Sequence, residues 1–237
     1  MKILCIGNSF SQDAAACLNR AAKSQGIEIR TENLYIGGCP LERHYGNMTS
    51  GENAYELEIN GEKTDKNISL NEALEKDKWD IVTIQQVSHF SAFYSTYQPF
   101  ALALVRFIRR KQPQAKVFIH QTWAYEEGSQ RLYDNGFTER KEMFAKIKES
   151  YALAAKDCDA DGLIPSGQVF ENMAARGIRC HRDTFHASLG AGRYALALTW
   201  IKALTGADIN ENTFKDTAEP LTADEIDKIK EAVNEAF

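Results

Sequence analysis

What most constrains this chain is an alternation: short apolar runs bounded by Gly, Asn or Pro take turns with longer stretches whose apolar residues recur at helical spacing. Ile3, Leu4, Cys5 and Ile6 form one such run, ended by Gly7 and followed by Ala14, Cys17, Leu18, Ala21 and Ala22, which predict a helix from Asp13 closed at Gly26. Residues 27–36 alternate loosely, end in Gly37-Gly38 and complete a strand-helix-strand unit. Residues 79–84 are the clearest buried strand, and 116–120 and 162–165 supply two more. Helical patterns occupy 99–110, 137–156, 167–176, 188–204 and 222–237. The last opens on a capping pair, Thr222 with Glu225 three residues on. Five strands alternating with helices predict an α/β fold: a doubly wound, mostly parallel sheet covered on both faces, with its ligand site at the strands' carboxyl ends. A hairpin, residues 55–59 and 62–68 about Asn60-Gly61, reads as a small excursion from that sheet, with Asn-Gly supplying the two positive φ angles of a type I′ turn.

A chain of 237 residues buries one sizeable core, so a single domain over 1–237 is expected. Its 43% hydrophobic and 26% charged residues are the balance of a globular protein. With a formal net charge of −5, it has no basic field to recruit nucleic acid or an anionic membrane, and no apolar run is long enough to span a bilayer. The basic cluster Arg106, Arg109, Arg110 and Lys111 closes a helical pattern, where cations favour the negative helix end. Five cysteines, an odd number without C-x-x-C spacing, argue against a disulfide framework. The chain opens directly on a strand, Met1-Lys2-Ile3-Leu4-Cys5-Ile6, without a signal peptide, so as written a cytoplasmic location is expected; a secreted or periplasmic protein trimmed just before that strand reads the same.

Two segments carry the candidate chemistry. Gly7-Asn8-Ser9-Phe10-Ser11 places a hydroxyl at the end of the first strand and ahead of a helix, where backbone N–H groups can stabilise an oxyanion and the small Gly7 lets substrate approach the backbone. The bland alternative is that Ser9 or Ser11 merely caps that helix. Near the other end, His181-Arg182-Asp183-Thr184-Phe185-His186 precedes an apolar helix, and its D-x-x-H spacing can bring the Asp183 carboxylate to one imidazole nitrogen of His186 and leave the other to take a proton.

These blocks, with Asn33-Leu34-Tyr35-Ile36-Gly37-Gly38 between them, resemble those of the SGNH or GDSL-type hydrolases, specifically an uncharacterised branch in which G-D-S is written G-N-S. The resemblance implies a three-layer, flavodoxin-like sandwich and an esterase or O-deacetylase that cleaves a small acyl ester, from a small molecule or glycan, through an acyl-serine intermediate. It implies Ser9 as nucleophile, His186 as base, Asp183 as its orienter, and the N–H groups of Ser9 and Gly38 as oxyanion donors. The family's G-x-N-D block is replaced here by Ile84-Gln85-Gln86-Val87, which puts Gln86, or alternatively Gln85, in the place of the third oxyanion donor. Asn8, His89, Trp123 and Tyr125 are candidates for the substrate pocket; the two aromatics suit stacking on a sugar or packing in the core equally well, and His89 suits a pocket or the surface.

Two rival readings stand beside this one. His181, Asp183 and His186 could hold a divalent metal for a metal-dependent hydrolase. A non-catalytic carbohydrate-binding module could keep the same fold. No G-x-G-x-x-G fingerprint or P-loop lysine is present at the first turn, so no cofactor is expected.

Overall fold

The computed structural model describes all 237 residues. Its spine is a parallel array of β1 (Lys2–Gly7), β2 (Arg30–Tyr35), β5 (Ile81–Ile84), β6 (Lys116–His120) and β7 (Gly162–Ile164), in the order β2-β1-β5-β6-β7. These are the five strands that the apolar runs predict. The hairpin is not an excursion. Strand β3 (Tyr55–Ile59) pairs antiparallel with β2, and β4 (Glu62–Ile68) pairs with β3, so the sheet has seven strands. Asn60 (φ 53°) and Gly61 (φ 84°) adopt the expected left-handed turn. A Cβ on Gly61 would lie 2.8 Å from the Ala16 carbonyl oxygen, so the turn sits directly on the chain that follows β1. The hairpin thereby satisfies the open edge of β2, and the new outer edge, β4, carries Glu62, Lys63, Asp65 and Lys66, which discourage further pairing.

Side chains alternate between two cores, one on each face, because successive strand residues point to opposite sides. From β1, Leu4 and Ile6 enter the core beneath α3 (Leu41–Ser50), α4 (Leu70–Glu75), α5 (Phe100–Lys111) and α7 (Arg140–Asp157). Ile3 and Cys5 enter the core beneath α1 (Ser9–Ala15), α2 (Leu18–Lys23), α8 (Ser166–Ala175), α9 (Ala191–Thr205) and α10 (Ala223–Asn234). All five cysteines are buried and unpaired. No helix is long and apolar enough to cross a membrane.

Three local outcomes depart from the sequence pattern. The first helix begins at Ser9 rather than Asp13 and is interrupted after Ala15, so two short helices replace one. Helix α3 goes unread because the face it buries is Leu41, His44 and Asn47, two of them polar. The one-turn helix α6 (Gln130–Asp134) buries only Leu132 and has no apolar period to show. The capping box at α10, by contrast, forms as read, with Thr222 and Glu225 satisfying each other's backbone N–H groups.

Candidate active site

Strand β1 lies at the middle of the seven-stranded sheet, and its carboxyl end delivers Gly7-Asn8-Ser9 to the top of the sheet. Capping of α1 falls to Asn8, whose Oδ1 accepts from the Phe10 N–H at 3.0 Å. Ser11 is occupied too, bonded to the Asn8 carbonyl and to Asn33 Oδ1. Neither serine caps the helix, and the Ser9 hydroxyl instead meets His186 Nε2 at 2.8 Å. Gly7 serves packing more than substrate access: a Cβ there would meet Ser11 Oγ at 2.4 Å.

On the other side of the ring, His186 Nδ1 lies 2.8 Å from Asp183 Oδ2, and Asp183 Oδ1 accepts from the His186 backbone N–H at 2.9 Å. A carboxylate accepting at Nδ1 fixes the proton there and leaves Nε2 to accept from the serine hydroxyl. Partial burial pushes the Asp183 carboxyl up, but its side-chain and backbone bonds from His186 outweigh this and hold it below the usual carboxylate value. The turn that permits this geometry places Thr184 at φ 73°, a left-handed conformation that a β-branched residue rarely adopts. The Thr184 carbonyl is pinned by the Glu126 N–H at 2.8 Å.

The loop carrying this pair is tied to the helix carrying Ser9. Asp13, fully buried on α1, accepts from Arg182 at 2.9 and 3.0 Å, from Arg193 Nε at 2.9 Å and from the Ala187 N–H at 3.1 Å. Arg182 and Ala187 bracket the D-x-x-H segment, so one carboxylate positions its two ends against α1. The isolated pairing of His181 with Ala187 closes the loop at its base. Sequence inspection does not reveal this clamp, because its partners are more than 160 residues apart.

Ser9 and Gly38 line one cavity of about 310 Å³. Gly38 has φ 61°, which glycine adopts without strain. No protein acceptor takes the N–H of either residue. Gln86 does not join them. It is fully buried; its Oε1 accepts from the Leu41 N–H at 3.0 Å and the Val87 N–H at 2.9 Å, and its amide NH₂ donates to Thr96 at 3.0 and 3.2 Å. The expectation of a third oxyanion donor there is corrected, since both its hydrogens are spent elsewhere. Gln85 is no substitute: its NH₂ donates to Asn8 Oδ1 at 2.8 Å and its Oε1 pairs with His120 Nδ1 at 2.7 Å. With Asn8 Nδ2 donating to the Cys39 carbonyl at 3.1 Å, Asn8 and Gln86 hold the 37–41 loop from behind.

Of the remaining pocket candidates, Asn8 lines the cavity floor with its amide committed, and exposed His89 lines the rim. Tyr125 is buried, its hydroxyl 3.0 Å from Ser88 Oγ, and it faces a neighbouring cavity. Trp123 is corrected to a core residue: it is stacked between Phe10 and Phe170 with ring centroids at 4.2 and 4.4 Å, and its indole N–H donates to the Phe185 carbonyl. It supports the D-x-x-H turn from below. Sequence reading missed Tyr35, Val87, Phe185 and Arg131, which also line the Ser9 cavity; the first three lie inside the motif blocks, at Asn33–Gly38, Ile84–Val87 and Asp183–His186, and only Arg131 falls outside them.

The proposed metal set is not assembled. His181 turns its Nε2 to the Ala124 carbonyl at 3.1 Å, and burial lowers its pKa to about 4, while Asp183 and His186 engage each other. No group of three or more His, Cys, Asp or Glu side chains converges to hold an ion.

A serine at the end of β1, a glycine loop after β2 and an Asp-His pair ahead of α9, set on this sheet, define an α/β protein of the SGNH/GDSL hydrolase fold. More narrowly, the chain belongs to the DUF4886 family, a domain of unknown function whose family model matches residues 2–236. A DUF4886 family protein from Bacteroides uniformis is 33% identical, with 100% of this chain and 94% of that one covered and a TM-score of 0.91. The same fold recurs in a member of the lipolytic G-D-S-L family from Veillonella parvula, 14% identical over 87% of this chain and 100% of that one at a TM-score of 0.56. It recurs again in an acetylxylan esterase from Geobacillus stearothermophilus, 13% identical over 90% and 94% of the two chains at 0.53. No curated protein matches the chain.

Proposed function

We propose that the protein is a serine esterase that removes a small acyl group, such as acetyl, from a carbohydrate. The observation that carries this reading is the line of hydrogen bonds from Ser9 Oγ through His186 to Asp183, each link at 2.8 Å, at the edge of a cavity. His186 takes the hydroxyl proton as Ser9 Oγ attacks the ester carbonyl, and Asp183 stabilises the imidazolium. The oxyanion of the tetrahedral intermediate accepts from the Ser9 and Gly38 N–H groups. Collapse expels the alcohol, protonated by His186; water, deprotonated by the same ring, then hydrolyses the acyl-serine.

A small acyl group is favoured because the cavity is modest, about 310 Å³, and only four of its twelve lining residues are hydrophobic. Ser9→Ala is expected to reduce hydrolysis of p-nitrophenyl acetate by about three orders of magnitude or more while leaving the melting temperature unchanged. Wild-type rates in that variant would end the serine mechanism. Across p-nitrophenyl esters of rising chain length, kcat/KM should be highest for acetyl; a steady rise with length would point to a lipase instead.

A further inference from the structure

Beyond the Ser9 cavity lies a second one of about 520 Å³, and the two share His89 and Arg131 as lining residues. Only one of the seven residues around the second cavity is hydrophobic. An acyl chain placed there would strip water from polar groups and return no hydrogen bonds. The lining suits hydroxyls instead: Gln130 offers an amide, Thr184 a hydroxyl and Asp134 an acceptor. Asn135 adds an amide nitrogen that is buried without any partner in the protein.

Arg131 stands at the boundary. Its guanidinium carbon lies 3.8 Å from the centroid of the Phe185 ring and 5.8 Å from that of Tyr125, and the Phe185 ring is itself 3.7 Å from the His186 ring. The cation is thus held in the residue layer that adjoins the imidazole. It forms no ion pair: Asp134, three residues on, accepts from Gln130 at 2.8 Å, and no carboxylate comes within 4.0 Å of Arg131. Stacking on a ring occupies the face of a guanidinium; one edge donor turns to the Tyr125 hydroxyl, and the rest of the fork of N–H donors, which matches a carboxylate, meets no protein acceptor.

We infer that the second cavity is the subsite for the alcohol half of the ester, and that this half is an acidic sugar whose carboxylate is taken by Arg131. The inference rests on the esterase reading for the roles of the two halves, but the binding it requires is testable without turnover.

The matched substrates are the methyl glycosides of an O-acetylated glucuronic acid and of glucose acetylated at the same position. Wild-type protein should favour the acidic ester by about tenfold or more in kcat/KM, mainly through KM and more so at low salt. Arg131→Gln should bring that ratio close to unity, and Arg131→Lys should keep part of it. Equal rates on the two esters in the wild type, or an equal loss on both in Arg131→Gln, would overturn the subsite. Calorimetric titration of the Ser9→Ala protein with glucuronate and with methyl glucoside separates this from the esterase reading. Glucuronate binding that disappears on adding Arg131→Gln supports the subsite even in a protein that hydrolyses no ester. Failure to bind glucuronate, alongside intact p-nitrophenyl acetate hydrolysis, rejects the subsite and leaves the esterase standing.

Discussion

Gln86 shows how far a single side chain's role depends on what surrounds it. At the end of β5 an amide could face the Ser9 cavity or brace the loop behind it, and here four hydrogen bonds to Leu41, Val87 and Thr96 commit it to the brace. Gln86→Leu would leave the Leu41 and Val87 N–H groups and a Thr96 carbonyl without their partner. With each buried orphan costing about 1–3 kcal/mol, a stability loss of roughly 2–4 kcal/mol after relaxation is expected in urea unfolding. Activity should fall along with stability, because the loop that carries Gly38 loosens. An unchanged urea midpoint with a hundredfold lower kcat would instead identify Gln86 as a direct donor. Ser9 teaches the complementary lesson: its hydroxyl is available because the residue before it, Asn8, caps the helix.

At the scale of elements, the Ser9–His186 contact joins α1 to the 180–188 loop, and the two are locked together beneath it. Asp13 does this with a fully buried carboxylate shared by Arg182 and Arg193. Its replacement by Asn keeps the volume but removes the charge between two guanidiniums, a change that costs about 3–5 kcal/mol when one partner of a buried pair is lost. Asp13→Asn is therefore expected to lower the melting temperature and to reduce kcat more than KM, since Ser9 and His186 then drift apart without a change in the pocket lining. A variant with lowered stability but an unaltered kcat would reduce the clamp to a structural role. The hairpin belongs to this scale as well. By pairing with β2 it braces the strand that leads to Gly38, which an isolated excursion would not do.

For the molecule as a whole, three buried histidines couple folding to pH. Burial lowers His44 and His120 to about 3 and His181 to about 4. In the unfolded chain each titrates near its ordinary value of about 6.5. As pH falls below that value the unfolded state binds protons that the folded state refuses, so stability present near neutrality is lost progressively towards the folded values. Each such group contributes up to about 1.4 kcal/mol per pH unit. Urea unfolding should therefore show stability dropping between pH 6.5 and 5, above the range where ordinary carboxylates titrate, and His120→Asn should make that drop shallower. A flat profile over this window would mean that these rings are not held neutral.

The sequence by itself determined the strands, the order of the blocks and the residues of the hydrogen-bonded Asp-His pair. Apolar period and turn chemistry are local, and Asp183 and His186 sit within one turn of each other. The α10 capping box is legible for the same reason. Only the tertiary structure decided what meets Ser9, a contact 177 residues away in the chain. It alone decided that the hairpin joins the sheet, that Trp123 supports the turn from the core, and that both glutamines brace rather than donate. Those outcomes depend on which buried polar group reaches a partner first, and a hydrogen bond between distant residues leaves no period in the sequence. Arg131 is the extreme case: an exposed cation on a one-turn helix has no pattern of its own, and its place beside the Ser9 cavity exists only because the fold brings α6 over Phe185.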